Sequence, residues 1–211
     1  MPKRPNWAFF PGMFLLAVVL VGCRMTEGQK NVAFLAGREV PQMALRERPA
    51  NWGAPQPLTG VPNFARVTED LYRGDEPTTN GMKNLAGMGV KTIICVRALH
   101  STESRTAGLG LHYEQISMWA WIPRDEYVVQ FLRIMSDSAN RPAFIHCYTG
   151  GDRAGLYVAI YRVAFCGWSK EDAKREMLYG GYGFHEILVD YLVPYFDNLN
   201  IDDMKRRAGV P

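Results

Sequence analysis

Arg141-Pro142-Ala143-Phe144-Ile145-His146-Cys147-Tyr148-Thr149-Gly150-Gly151-Asp152-Arg153-Ala154-Gly155 is the stretch whose reading decides the fold. It opens with a short apolar run bounded by a proline, which reads as a buried strand. Leu156 to Phe165 follows as an apolar stretch long enough for a buried helix. His146 to Gly155 therefore form a strand-to-helix turn. Such a turn aims unpaired backbone N–H groups and the positive end of a helix dipole at one point, which suits an anion. Cys147 stands inside the turn, with Arg153 closing it. A thiol beside a helix start and a cation gives up its proton readily. Arginine offers a planar fork that fits two oxygens of a phosphate. Gly150 and Gly151 let the backbone curl closely around the anion. A nucleophile beneath a caged phosphate is the machinery of a phosphocysteine intermediate. The bland alternative is a structural cysteine in an ordinary βα turn, and a chance match of that kind rarely brings the flanking strand and helix with it.

The turn resembles the signature loop of the protein-tyrosine and dual-specificity phosphatases, H-C-x-x-G-x-x-R-[ST]-G. His146, Cys147, Gly150, Arg153 and Gly155 match at the same spacing. Leu71-Tyr72-Arg73-Gly74-Asp75-Glu76-Pro77 is similar to the L-Y-R-[SG]-x-x-P segment near the start of many bacterial and fungal dual-specificity-like phosphatases. The resemblance implies an α/β three-layer sandwich, a mostly parallel sheet of four to five strands flanked by helices. It implies Cys147 as nucleophile and Arg153 as phosphate clamp. Tyr148, Thr149, Gly150, Gly151, Asp152 and Arg153 would form the phosphate cradle. His146 would support the site by bonding backbone near the cysteine. No metal and no cofactor is implied. Ala154 departs from the pattern, because the family usually has Ser or Thr there and its hydroxyl helps the thiolate leave.

Cleavage of a phosphate ester also needs an acid for the leaving oxygen. In the family this is usually an Asp on a loop upstream of the signature, and the corresponding positions here are Trp119 and Ala120. Asp125 lies just beyond and has helix capping as its bland role. Asp152, inside the loop, is favoured over Asp125, since some branches such as the myotubularin-like phosphatases carry an acid at that place. A carboxylate so near a dianion must be protonated or turned away. Arg73 and Arg97 stand at strand ends, where α/β sheets place functional residues, or are surface arginines; both readings stay open. His100, His112 and His185 show no partner in the sequence. Cys95 and Cys166 read as core packing, with a protective Cys95–Cys147 disulfide as the less common option for Cys95.

The chain has 211 residues, is 47% hydrophobic and carries a net charge of +3, which suits one globular domain with extensions. So small an excess of cations gives no reason to expect a nucleic acid partner. Residues 1–23 read as a lipoprotein signal peptide: Lys3 and Arg4, an apolar run to Val21, then Leu20-Val21-Gly22-Cys23, which looks like a bacterial lipobox. Cys23 is then a lipid attachment site, and the rest of the chain is exported and tied to a membrane. Residues 24–58, broken by Pro41, Pro49, Pro55 and Pro57, read as a flexible tether. Residues 59–211 are the phosphatase-like domain.

Within that domain the pattern predicts short strands at 64–67 and 71–73 and a helix from Thr78 or Thr79 to Met88. A central strand follows at 90–96, a short helix at 101–109, an outer strand at 111–116 and a helix at 126–138. After the signature helix come a capped helix at 169–179, a final helix at 185–198 and a solvated tail with Lys205-Arg206-Arg207. The expected substrate is a phosphate monoester, on tyrosine, serine or threonine or on a small molecule. The loop's variable positions carry no cation, which argues against a strongly anionic one. Ala154 and the missing upstream acid leave a second reading, a pseudophosphatase that binds phosphate with little turnover.

Overall fold

Thr92–Cys95 and Ala143–His146 are buried along their whole length. That is the signature of strands covered on both faces. The structure, a computed structural model, describes residues 48–119, 121–185 and 191–211. Its strands are β1 (Ala54–Pro55), β2 (Ala65–Arg66), β3 (Leu71–Gly74), β4 (Thr92–Cys95), β5 (His112–Gln115) and β6 (Ala143–His146). Its helices are α1 (Thr79–Gly87), α2 (Asp125–Ser136), α3 (Asp152–Cys166), α4 (Lys170–Tyr179), α5 (Leu192–Asn198) and α6 (Ile201–Ala208).

One six-stranded sheet runs in the order β1-β2-β3-β6-β4-β5. β3, β6, β4 and β5 are parallel neighbours, while β1 and β2 add antiparallel to the β3 edge. The sheet exceeds the expected four to five strands by β1, whose two residues are too short to show alternation in sequence, while β2 lies within the strand expected at 64–67.

Successive residues of a strand face opposite ways, and here they feed two separate cores. Ile93 and Phe144 pack with Val61, Met82 and Leu85 on the α1 side. Ile94 and Ile145 pack with Phe131 and Leu132 of α2 and with Leu156, Tyr157 and Ile160 of α3. The result is the expected three-layer sandwich, and α3, buried almost all round, is its inner helix. Thr78 caps α1 by accepting from the Gly81 N–H, and Ser169 caps α4 by accepting from that of Asp172. α3 stops at Gly167 in the left-handed conformation.

Several expectations change. Residues 48–58, read as tether, are built into the domain. Trp52 is buried, the Gly53 N–H donates to Glu176 Oε1 at 2.5 Å, and Arg48 Nη1 donates to the Gly180 carbonyl at 2.6 Å. The helix expected at 101–109 is a single 3-10 turn at Glu103–Thr106. The helix expected at 185–198 is seen as Leu192–Asn198, with residues 186–190 outside the description. The C-terminal stretch read as a tail is helix α6, anchored by buried Ile201 and Met204, with its basic residues in the last turn. The signal peptide, Cys23 and residues 24–47 lie outside the described residues. Among those described, no helix is long and apolar enough to cross a membrane.

Candidate active site

β6 delivers the loop to the carboxyl end of the parallel strands, His146 lying opposite Gly74 of β3 and Cys95 of β4. This end is where open α/β sheets bind ligands. Cys147 follows, buried at 2% exposure, and α3 starts at Asp152.

The loop carbonyls are held outward in sequence. That of Tyr148 accepts from the Glu76 N–H at 3.3 Å, and that of Thr149 from Asn63 Nδ2 at 2.8 Å. Arg73 Nη2 donates to the Gly150 carbonyl at 2.5 Å and to that of Gly151 at 3.1 Å. Every carbonyl from 148 to 151 thus has a donor, that of Gly151 also taking the Gly155 N–H at 2.9 Å. No N–H from Tyr148 to Arg153 donates to a protein acceptor among the described residues. An anion placed there meets unpaired donors and the start of α3.

Two glycines make this curvature possible. Gly150 has φ +70, and a Cβ there would sit 2.4 Å from the backbone carbon of Gly74. A Cβ on Gly151 would meet the Gly183 carbonyl oxygen at 2.3 Å. The loop is thus pressed between the end of β3 and the segment that follows α4.

Arg73 is fully buried, its guanidinium 3.9 Å from the centroid of the Tyr182 ring. Burial lowers its pKa from the ordinary arginine value, while Tyr182, Glu176 and Cys147 oppose that effect. The sequence left Arg73 open between a functional and a surface role. The structure places it beneath the loop.

His146 is also buried. Its Nδ1 lies 3.0 Å from the Cys147 carbonyl and its Nε2 3.1 Å from Thr102 Oγ1. A carbonyl only accepts, so Nδ1 carries the proton and Nε2 accepts from the threonine hydroxyl. Burial depresses its pKa to about 4, which keeps the ring neutral. The expected backbone bond beside the cysteine is present.

Glu76 gathers the cations at the rim. It pairs with Arg97, with His100 Nε2 at 2.9 Å and with Arg105 Nη1 at 2.9 Å. Burial alone would raise its carboxyl, but the His100 hydrogen bond and the charges around it outweigh burial and hold it below the usual range. Arg97 lies over the exposed Tyr148 ring at 5.1 Å.

The candidate acids separate. Asp125 opens α2, but its carboxylate accepts from Tyr195 Oη at 2.9 Å and pairs with Arg207 at 3.4 Å. It neither caps the helix, whose N-cap is Arg124, nor contacts the loop. Asp152 is at the loop, and its Oδ1 accepts from the His185 N–H at 2.6 Å. The His185 ring follows, with Nδ1 3.2 Å from both carboxylate oxygens. In sequence His185 had no visible partner, because it lies 33 residues away. Trp119 and Trp121 pack against one another at 5.2 Å, and a bridge joins Trp119 to Ile122. Arg153 Nη1 reaches the Met118 carbonyl at 3.4 Å, which sets this turn beside the loop. Ala154, where a hydroxyl was expected, is fully buried.

The sequence matches the family described as "DSP-PTPase phosphatase fused to NAD+ Kinase" over residues 56–183, more than half of the chain. The dual specificity protein phosphatase TpbA of Pseudomonas aeruginosa is 30% identical over 135 residues, 61% of this chain and 59% of that protein. The chain thus spans about three fifths of the length of this curated relative. The crystal structure of TpbA superposes with a TM-score of 0.66 at 24% identity, covering 76% of this chain and 98% of the other. A TpbA variant in complex with pTyr gives the same score. The catalytic core of the PP-IP phosphatase SIW14 from S. cerevisiae, with citrate, gives 0.62 at 21% identity, covering 72% and 94%. At these identities the structural likeness shows the fold.

Proposed function

The chain belongs to the family of DSP-PTPase phosphatases fused to NAD+ kinase, and on that premise we propose that it hydrolyses phosphate monoesters through a phosphocysteine intermediate. The observation that carries the reading is the loop itself: donors from Tyr148 to Arg153 left unpaired around Cys147 by carbonyls engaged elsewhere. In the first step the Cys147 thiolate attacks phosphorus, the S–P bond forms and the ester P–O bond breaks. Arg153 and the loop N–H groups hold the equatorial oxygens as charge shifts. The acid function belongs to the Asp152 end of the loop; Asp125 is engaged by Tyr195 and Arg207. Water then attacks phosphorus, the S–P bond breaks, and phosphate leaves with the thiolate restored.

The pTyr complex of TpbA supports a phosphorylated tyrosine as substrate, and that relative's description as a dual specificity protein phosphatase supports extending the class to serine and threonine, with small phosphorylated molecules beside them. The exposed rings of Tyr148, Trp119 and Trp121 suit an aryl phosphate. Export and tethering through a lipidated Cys23 belong to the same proposal, supported by Leu20-Val21-Gly22-Cys23 after an apolar run. Labelling with a fatty-acid analogue, lost in Cys23→Ala, tests it.

Hydrolysis of para-nitrophenyl phosphate by the full chain in detergent, without added metal, tests the enzyme. Turnover abolished in Cys147→Ser supports it. The buried Ala154 and the absent upstream acid favour a slow, phosphate-binding alternative. Phosphate or vanadate binding without turnover would establish that one.

A further inference from the structure

We propose that His185 is the proton donor and acceptor of the reaction, with Asp152 as the residue that orients it. This rests on the phosphatase reading above and assigns the acid function placed at Asp152 to a specific nitrogen. Asp152 is the first residue of α3, immediately before the phosphate clamp Arg153. Its carboxylate is turned to His185 twice, by the backbone N–H at 2.6 Å and by ring Nδ1 at 3.2 Å. Both oxygens lie within reach of Nδ1. A carboxylate held this way fixes the ring and the tautomer, with the proton on Nδ1 facing the acid, and leaves Nε2 for chemistry. Nε2 makes no hydrogen bond among the described residues, and the ring is 46% exposed. The contact with His185 also gives the Asp152 carboxylate a partner beside a bound phosphate dianion.

Among the described residues most other groups at the loop's rim are committed elsewhere, and Asp75, beside Gly150 with its carboxyl raised by burial, is the rival acid. Residues 118–122 contain no acid, Asp125 is engaged elsewhere, and Glu76 is held by Arg97, His100 and Arg105. His146 is neutral, buried and bonded at both nitrogens.

The step balances. As the Cys147 sulfur bonds phosphorus and the P–O bond breaks, the proton on His185 Nε2 passes to the leaving oxygen, and imidazolium becomes imidazole. In the second step water attacks phosphorus, its proton goes to Nε2 and the S–P bond breaks. Phosphate leaves, and thiolate and imidazolium are restored.

The test compares aryl phosphates with good and poor leaving groups, para-nitrophenyl and phenyl phosphate, on the full chain in detergent. A nitrophenolate departs with little help, while a phenolate needs the proton. His185→Gln is expected to lower kcat/KM roughly 100-fold on phenyl phosphate and far less on para-nitrophenyl phosphate. Asp152→Asn should steepen the leaving-group dependence in the same direction. The double variant should be no worse than His185→Gln, because both act in one step. Equal losses on both substrates, or no loss on either, would overturn the assignment while leaving the Cys147 mechanism standing. No turnover of para-nitrophenyl phosphate by the unaltered chain would instead remove the phosphatase reading itself, and this assignment with it.

Discussion

Arg73 donates from beneath the loop to the carbonyl oxygen of Gly150, at 2.5 Å. The two are 77 residues apart in the chain, yet this bond decides which way the loop faces. A carbonyl turned down means that the N–H groups beside it can turn up. The same nitrogen reaches the Gly151 carbonyl, and Tyr182 supports the guanidinium from its other side.

Arg73→Met removes the donor from two buried carbonyls. A charge-assisted hydrogen bond is worth about 1.5–3 kcal/mol, so vanadate binding should weaken roughly 10- to 100-fold. Arg73→Lys carries the charge without the fork and should fall between. Vanadate inhibition constants for the three proteins check this.

Gly150→Ala should be as damaging for a different reason. An L-residue at φ +70 is strained by about 1–2 kcal/mol, and its Cβ would overlap the Gly74 backbone at 2.4 Å. The loop must move, so vanadate affinity should drop sharply while the fold, read by circular dichroism, is kept. Gly87→Ala is the control, since a Cβ there meets nothing within 4 Å.

His146 makes stability depend on pH. Its folded pKa is about 4, below the unfolded value of about 6.5. Between these values the unfolded chain takes up a proton that the folded chain refuses. Stability from this group is therefore full above about pH 6.5 and is lost as pH falls towards 4, by up to about 3 kcal/mol. Urea unfolding across that window should show the fall. In His146→Gln this component should be missing, whatever the variant's stability at pH 7.

Glu176 and Arg162 form a buried pair, with Nε to Oε2 at 2.7 Å and Nη2 to Oε1 at 2.9 Å. Glu176 also accepts from the Gly53 N–H. Glu176→Ala leaves a cation buried alone, which costs about 3–5 kcal/mol and should lower Tm by roughly 10 °C. Residues 48–55 should become the first site of limited proteolysis.

What could be read from the sequence follows from how far each feature reaches along the chain. The strand, loop and helix around Cys147 are contiguous, and their apolar runs and glycine pair carry the information locally. The order of elements from β3 to α4 was legible for the same reason, as was the three-layer sandwich. The supports of the loop were legible only in part: Arg73 stood out at a strand end without its role, while Asn63 and Tyr182 act across the fold and no periodicity marks them. Asp152 was visible as a loop carboxylate, but its partner His185 comes from the segment after α4. Residues 48–58 looked like tether because they hold to the domain through the Trp52 and Arg48 side chains and the Gly53 backbone, isolated contacts that leave no periodic pattern. α6 looked like a tail because its apolar positions are few and basic residues crowd its end.

The most direct measurement is acid quenching of the full chain during turnover of para-nitrophenyl phosphate, followed by mass spectrometry of the peptide containing residues 143–153. The account predicts one phosphoryl group on the Cys147 sulfur, absent from Cys147→Ser, which should also be inactive. Steady turnover with no phosphoryl group on Cys147, or turnover that survives in Cys147→Ser, would contradict it.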